Sequence, residues 1–176
     1  MRTTIALAFA IALTGHPIHA AKLANGLEFR TPNGWTVKAN DQAALLLPPD
    51  MAMESGGKDP SELYIVALLP GVKDLQDPQM VATLKGQYFP AEAQVRAVGA
   101  PQSFGAGNGT GALYRFDGVS QGVALRIQMY VVGLPGGGVA ALVALARPAL
   151  LARREAAITP VAASFSRQAG VPSRAV

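Results

Sequence analysis

The side chains that most often carry out catalysis are almost absent from this sequence. The chain has no cysteine and two histidines, His16 and His19, both within its first twenty residues. Imidazole and thiolate groups supply the general base, the nucleophile and the zinc ligands of triad enzymes and zinc hydrolases. If residues 1–20 are removed during export, the remaining chain has neither group, and these enzyme classes are excluded.

The acidic side chains remain as candidates for catalysis. A glycosidase needs only two carboxylates, held about 5–9.5 Å apart. Most of the acidic residues stand beside Gly, Pro, Ser or Lys, as solvated loop residues do. A carboxylate-pair hydrolase is therefore kept as an alternative function. The candidates are Glu28, Asp41, Asp50, Glu54, Asp59, Glu62, Asp74, Asp77, Glu92, Asp117 and Glu155.

One segment, residues 50–62, combines several carboxylates with two methionines and could hold a metal ion. Carboxylate oxygens bind Ca²⁺, although the spacing differs from that of the twelve-residue calcium loop. Met51 and Met53 would point the same way in an extended chain, and paired thioethers favour Cu(I). The candidate ligands are Asp50, Met51, Met53 and Glu54. The alternative is an acidic loop whose methionines rest on the core, and no cofactor is expected.

Two glycine-rich segments and the basic residues do not indicate a nucleotide or a nucleic acid as ligand. A phosphate-binding glycine loop follows a strand and opens a capped helix. Neither Gly105–Gly111 nor Gly136–Gly138 has this position in the sequence. We therefore predict a flexible connection over 105–111 and a turn over 133–138. The formal net charge is +4. The basic residues are scattered apart from Arg153-Arg154, whereas nucleic-acid binding needs a focused basic surface.

The N-terminus has the pattern of a secretory signal peptide. Arg2 precedes an apolar run that ends before Thr14, followed by a helix breaker and then Ala20. The run is too short for a transmembrane anchor, which needs about 20 residues. We therefore predict removal of residues 1–20 and a periplasmic or secreted protein. A lipid anchor on cysteine is excluded because the chain has no cysteine.

Short apolar runs separated by Gly, Pro, Asn and Asp indicate a strand-rich domain after the signal peptide. The uncharged runs over 63–69 and 139–146 predict interior strands that are covered on both faces. Residues 123–132 alternate between apolar and polar side chains, which predicts a half-exposed antiparallel strand.

Two helices are also predicted. The first spans 78–89, with Asp77 as its cap and Pro78 at its first position. The second spans 150–165, with a restart at Thr159-Pro160 as an alternative because proline costs a hydrogen bond inside a helix. The last residues, 167–176, are predicted to form a flexible tail.

Two short segments resemble the PsbP/DcrB-like group of proteins. Phe29–Trp35 (FRTPNGW) opens the domain, and Ala162–Phe165 (AASF) closes it. The resemblance covers roughly residues 26–166, nearly the whole chain after the signal peptide. It implies an α+β fold in which a single antiparallel sheet is packed against helices on both faces. The matching residues are implied to be packing residues only: Pro32, Gly34, Trp35, Ser164 and Phe165.

The resemblance implies a single domain over residues 21–166 and a non-catalytic role. Members of this group act mostly as extrinsic subunits, adaptors or envelope proteins, and no catalytic residues can be carried over. The expected function is an exported envelope or periplasmic binding or accessory module that binds an envelope protein or a small ligand. The alternatives are the carboxylate-pair hydrolase and the metal-binding protein, while the oligomeric state stays open.

The export prediction can be tested directly on the secreted protein. Its first residue should be Ala21, because cleavage is expected after Ala20. N-terminal sequencing of the protein recovered outside the cytoplasm measures this. Recovery of the chain with Met1 or Arg2 at its start would contradict the prediction.

Overall fold

The computed structural model describes residues 20–51, 62–69, 72, 74–76, 78–88, 95–107, 109–120 and 122–167. Most of the predicted signal peptide, the cap Asp77, the candidate ligands Met53 and Glu54, and the tail after Arg167 lie outside these residues. Within the described part of the chain, no helix is long and apolar enough to cross a membrane.

Eight strands of the described chain form one antiparallel sheet. Across the sheet the order is β3-β4-β5-β10-β9-β8-β6, and β7 pairs with β8 beside β6. The strands are β3 (Thr36–Ala39), β4 (Ala43–Leu47), β5 (Glu62–Leu69), β6 (Arg96–Ala97), β7 (Gln102–Ala106), β8 (Gly109–Ser120), β9 (Val123–Gly133) and β10 (Val139–Ala146). The predicted antiparallel sheet is therefore confirmed.

Strands β5 and β10 occupy the interior of the sheet, as their uncharged sequences predict. β5 lies between β4 and β10, and β10 lies between β5 and β9. Side chains on both faces of β10 are buried, and its eight residues pair with neighbours on both sides. A strand buried on both faces tolerates no charged side chain without a partner, which explains the apolar run.

Helix α2 (Pro148–Ala163) covers one face of the sheet. Leu151, Ile158, Val161 and Ala162 of α2 are buried, in the same cluster as the alternate alanines of β10. The helix begins two residues before the predicted start, because Pro148 suits the first turn. It also continues through Pro160, which lies exposed in the last turn.

The opposite face of the sheet carries a second buried cluster. It contains Tyr114, Phe116, Ile127 and Met129, together with Met80 of helix α1 (Pro78–Tyr88). Of the α1 side chains that are described, Met80 is the buried one, and Val81 packs beside it. The prediction that helices cover both faces is thus not confirmed by this limited contact and stays a prediction.

The two segments that carry the family resemblance meet in a second, smaller sheet, which the single-sheet prediction omitted. Strands β1 (Ala20–Lys22) and β11 (Ser166–Arg167) pair with the two sides of β2 (Leu27–Arg30). The Phe29 and Phe165 rings pack edge to face with centroids 6.3 Å apart. The Arg30 backbone N–H donates to Ser164 Oγ at 2.8 Å. This contact joins the two ends of the domain and places Arg167 in a strand instead of the predicted tail.

The flexible connection predicted over 105–111 is wrong. Strands β7 and β8 pair across it, with Phe104 directly opposite Gly111. A Cβ atom at Gly111 would clash with the Phe104 ring. Gly111 therefore lets the Phe104 ring lie across the strand, a close approach that glycine in a strand often marks.

The antiparallel strand predicted over 123–132 is confirmed as β9, but the prediction that its polar face is exposed is wrong. Gln128 and Tyr130, on its polar face, are 3% and 1% exposed. Helix α2 covers this face, and the Tyr130 hydroxyl lies 3.2 Å from Thr159 Oγ1 of α2. The phenol and the amide are accommodated in the core because they also hydrogen bond each other, at 3.3 Å.

The docking of α2 and β11 can be tested at Phe165, which is fully buried. Replacing Phe165 by alanine should reduce the free energy of unfolding by about 3–5 kcal/mol, because a large cavity replaces the ring. Denaturant unfolding measures the loss. Val123→Ala is the control, since Val123 is 37% exposed and should change stability by less than about 0.5 kcal/mol. A similar small loss at Phe165 would contradict the packing described above.

Candidate functional site

A cleft opens on the sheet face that carries α1, beside strands β6 and β8. Its volume is about 370 Å³, and most of its surface is apolar. Among the described residues, none that lines it is a carboxylate, and Asp77, between two of the lining residues, lies outside that part of the chain. The lining residues are Gln76, Pro78, Val81, Ala82, Ala97, Gly99, Pro101, Tyr114, Arg115 and Phe116.

Two residues of β8 at the cleft, Tyr114 and Arg115, have polar side chains that the protein already engages. The Tyr114 hydroxyl donates to the Leu75 carbonyl oxygen. Burial, and secondarily the charge of Asp74, raise the pKa of Tyr114 above its ordinary value. Arg115 is the next residue along the strand, so its side chain points to the opposite face of the sheet, where it donates to Gln102 and binds Glu155 of α2 at 3.0 Å. The described residues of the cleft thus offer a mainly apolar surface on which the Tyr114 hydroxyl is already hydrogen bonded.

A second group of functional side chains surrounds Arg154 of α2, and we call it the Arg154 cluster: Trp35, Asp50, Glu62, Tyr64 and Arg154. Glu62 begins β5 and is 3% exposed. Arg154 binds its two carboxylate oxygens, with Nε 3.1 Å from Oε2 and a terminal nitrogen 2.9 Å from Oε1. The same terminal nitrogen lies 2.7 Å from Asp50 Oδ1. Arg154 of α2 thereby connects the segment that follows β4 with the start of β5.

Two aromatic side chains complete the Arg154 cluster. The Tyr64 hydroxyl donates to Glu62 Oε2 at 2.6 Å. The Trp35 and Tyr64 rings pack edge to face with centroids 5.0 Å apart, and the Arg154 guanidinium carbon lies 5.8 Å from the Trp35 ring centroid. Trp35 is half-buried, and part of its ring remains at the surface.

The electrostatics of the Arg154 cluster keep Arg154 and Tyr64 protonated and Asp50 ionised near neutral pH. Hydrogen bonding to Glu62 raises the pKa of Arg154. Burial raises the pKa of Tyr64, and the hydrogen bond to Glu62 adds to this effect. The hydrogen bond from Arg154 lowers the pKa of the exposed Asp50 carboxyl. The arrangement is suited to holding chain segments together, because a general acid or base needs a pKa near the working pH.

Only part of the candidate metal site can be placed. Asp50 binds the terminal nitrogen of Arg154 that also binds Glu62, so a cation occupies the place between these two carboxylates. Met51 is half-buried and follows a turn in which its N–H donates to the Pro48 carbonyl oxygen. Met53 and Glu54 lie outside the described residues. In the ranges that are described, no three His, Cys, Asp or Glu side chains converge as metal ligands would.

Sequence analysis did not find the Arg154 cluster. Arg154 lies 92 residues from Glu62 and 104 from Asp50 along the chain. The signals in the sequence were a glutamate at the start of an otherwise uncharged strand and an arginine on a helix. Each has an ordinary explanation as a surface charge, and only the fold brings them together.

The Arg154 cluster predicts a large effect of removing one partner. Arg154→Met should lower the free energy of unfolding by about 3–5 kcal/mol, because Glu62 is left as a buried charge without its partner. Denaturant unfolding measures this. The double variant Glu62→Gln/Arg154→Met should recover most of the loss, and in it the pKa of Asp50 should return toward its ordinary value in an NMR titration. Arg153→Met, at an exposed neighbour, is the control, and an equal loss there would contradict the prediction.

No protein-family model and no curated protein matches the sequence. Solved structures do match the fold. Cyanobacterial PsbP (CyanoP) from Synechocystis sp. PCC 6803 aligns with a TM-score of 0.57 and 12% identity, over 85% of this chain and 92% of that one. The Ran-binding protein Mog1p of Saccharomyces cerevisiae aligns with a TM-score of 0.54 and 13% identity, over 84% of this chain and 93% of that one.

A third structure is less similar. LpqN of Mycobacterium tuberculosis, described as involved in cell envelope biogenesis, aligns with a TM-score of 0.48 and 13% identity, over 87% of this chain and 86% of that one. The likeness to CyanoP and Mog1p shows that the chain has the PsbP/Mog1/DcrB-like fold, and at these identities it shows the fold alone.

Proposed function

We propose that this protein is an exported, non-catalytic binding or accessory module of the cell envelope or periplasm. Its binding site is the cleft beside α1, which accepts an apolar segment of an envelope protein or a small apolar ligand. The observation that carries this proposal is the cleft itself, whose surface is mostly apolar and is lined by residues of α1, β6 and β8. Ligand sites are commonly concave and apolar, with few polar groups.

The arrangement of the carboxylates in the described part of the chain supports binding over hydrolysis. Asp50 and Glu62 are brought together, but Arg154 lies between them and binds both. Neither residue lines the cleft. A glycosidase would need one carboxylic acid and one carboxylate on opposite sides of the substrate. Asp117 is likewise bound by Arg126, at 2.6 Å.

The fold is compatible with this role. Mog1p, which is described as a Ran-binding protein, shares the fold. The same arrangement of strands and helices can therefore present a protein-binding surface. Export through the signal peptide rests on the sequence pattern of residues 1–20.

The cleft can be tested with two matched alanine-to-aspartate changes. Ala82 is exposed on α1 and lines the cleft, whereas Ala152 is exposed on α2. Ala82→Asp should reduce capture of the partner from an envelope fraction by about tenfold or more, because a charge placed in an apolar contact must be desolvated. Ala152→Asp should capture the partner as the unchanged protein does. Quantitative mass spectrometry of the captured proteins gives both values.

The alternatives give different outcomes in the same assay. Capture that is equal for both aspartate variants would overturn the assignment of the cleft. Loss of capture in a chelator, together with a specific rise in melting temperature in Ca²⁺ or Cu(I), would favour the metal-binding protein. That rise should then disappear when Asp50 and Glu54, or Met51 and Met53, are replaced.

A further inference from the structure

Two turns lie side by side next to the Arg154 cluster. Residues 32–35 precede β3 and residues 48–51 follow β4, and the first residue of β3 is opposite the last residue of β4. In each turn the backbone N–H of the last residue donates to the carbonyl oxygen of the first, at 3.2 Å and 3.1 Å. The turns therefore present Trp35 and Asp50 at the same end of the β3–β4 pair, where Arg154 of α2 lies close to both.

Arg154 and Asp50 each keep one polar atom that no described residue binds. Arg154 uses Nε and one terminal nitrogen to bind Glu62 and Asp50. Its other terminal nitrogen hydrogen bonds to no residue of the described chain and is not buried. Asp50 accepts through Oδ1, its Oδ2 has no partner in the same ranges, and the side chain is 68% exposed. The surface thus offers an N–H donor and a carboxylate acceptor whose positions are fixed by the hydrogen bond between the two residues.

Trp35 adds an aromatic surface beside this donor and this acceptor. The Tyr64 ring packs edge to face against it with centroids 5.0 Å apart, and the Arg154 guanidinium carbon lies 5.8 Å from its centroid. Trp35 is half-buried, so part of the ring remains accessible. Because these contacts fix the ring in the free protein, a ligand would not have to order it on binding.

The charges around this surface favour a neutral ligand that both donates and accepts hydrogen bonds. An anion would be repelled by Asp50, and a cation by Arg154 and by Arg153, whose charge also acts on Asp50. A purely apolar ligand would cover both polar groups without giving them partners, which costs free energy. Hydroxyl groups meet both needs, since a hydroxyl can donate to the carboxylate and accept from the guanidinium.

We propose that Trp35, Asp50 and Arg154 form a saccharide-binding site that accepts a neutral pyranose unit. Neighbouring hydroxyls of the sugar bind Asp50 Oδ2 and the terminal nitrogen of Arg154 that Glu62 and Asp50 leave unused. The C–H face of the sugar ring packs on the Trp35 ring, whose π face carries partial negative charge. Glu62 and Tyr64 are buried and hold the guanidinium and the indole in place. None of these five residues lines the cleft beside α1, so the site is separate from it.

Fluorescence of Trp35 tests the proposal directly, because the chain has a single tryptophan. The probes are three soluble neutral hexasaccharides: maltohexaose, cellohexaose and chitohexaose. At least one of them should change the emission of Trp35 saturably. Asp50→Ala should weaken this binding by about tenfold or more, because a hydrogen bond to a charged group is lost. Asp41→Ala, at another exposed aspartate, is the matched control and should bind as the unchanged protein does, with thermal melts showing that both variants are folded.

A glycan polymer is the other source of the same chemistry, and cosedimentation with purified peptidoglycan tests it. Binding of a hexasaccharide indicates a free oligosaccharide as ligand, whereas retention by peptidoglycan alone indicates an envelope glycan, and either must fall in Asp50→Ala. No response in both assays, equal binding by Asp50→Ala and the unchanged protein, or a change in emission with the neutral peptide hexaglycine but with no saccharide would overturn the proposal. Ala82→Asp should leave saccharide binding unchanged, so failure here is distinct from failure of the proposed binding in the cleft.

Discussion

Strand β10 has to be buried on both faces, and the rest of the fold is arranged around this constraint. Its backbone groups pair with β5 on one side and β9 on the other along all eight residues. Ala140, Ala144 and Ala146 belong to the cluster that α2 covers, and the alternate residues belong to the opposite cluster. Small side chains let the helix lie close to the strand. They also bury little area, so the large rings nearby must supply much of the apolar burial.

The same constraint explains why the Arg154 cluster is needed. Glu62 is directly opposite Ala146, at the end of the β5–β10 ladder, where α2 begins to cover the sheet. A carboxylate buried there would be strongly destabilising alone. Arg154 and the Tyr64 hydroxyl satisfy its oxygens. Such a pair adds little net stability compared with apolar packing, but it allows one arrangement of α2 on the sheet and disfavours others.

The parts of the fold that could be predicted from the sequence depend on local patterns. The uncharged runs of β5 and β10 indicated interior strands, and the apolar–polar alternation over 123–132 indicated the strand β9. The glycines at 105–111 were misinterpreted because a flexible segment and a strand that admits a cross-strand ring have the same local composition. The Phe104 ring that distinguishes them lies on the neighbouring strand. The cleft and the Arg154 cluster could not be predicted, since each combines side chains from elements distant in sequence.

Proteins that share a fold can have different functions, because their function depends on surface sites that differ between them. In this chain the cleft beside α1 is such a surface. Tyr114 and Phe116 of β8 line it and also belong to the second buried cluster, so the sheet fixes their positions. Val81 and Ala82 line it from α1, whose described buried side chain is Met80. Substitutions on the exposed side of α1 can therefore change what the cleft accepts with little effect on the sheet, and proteins of one fold can bind different partners in this way.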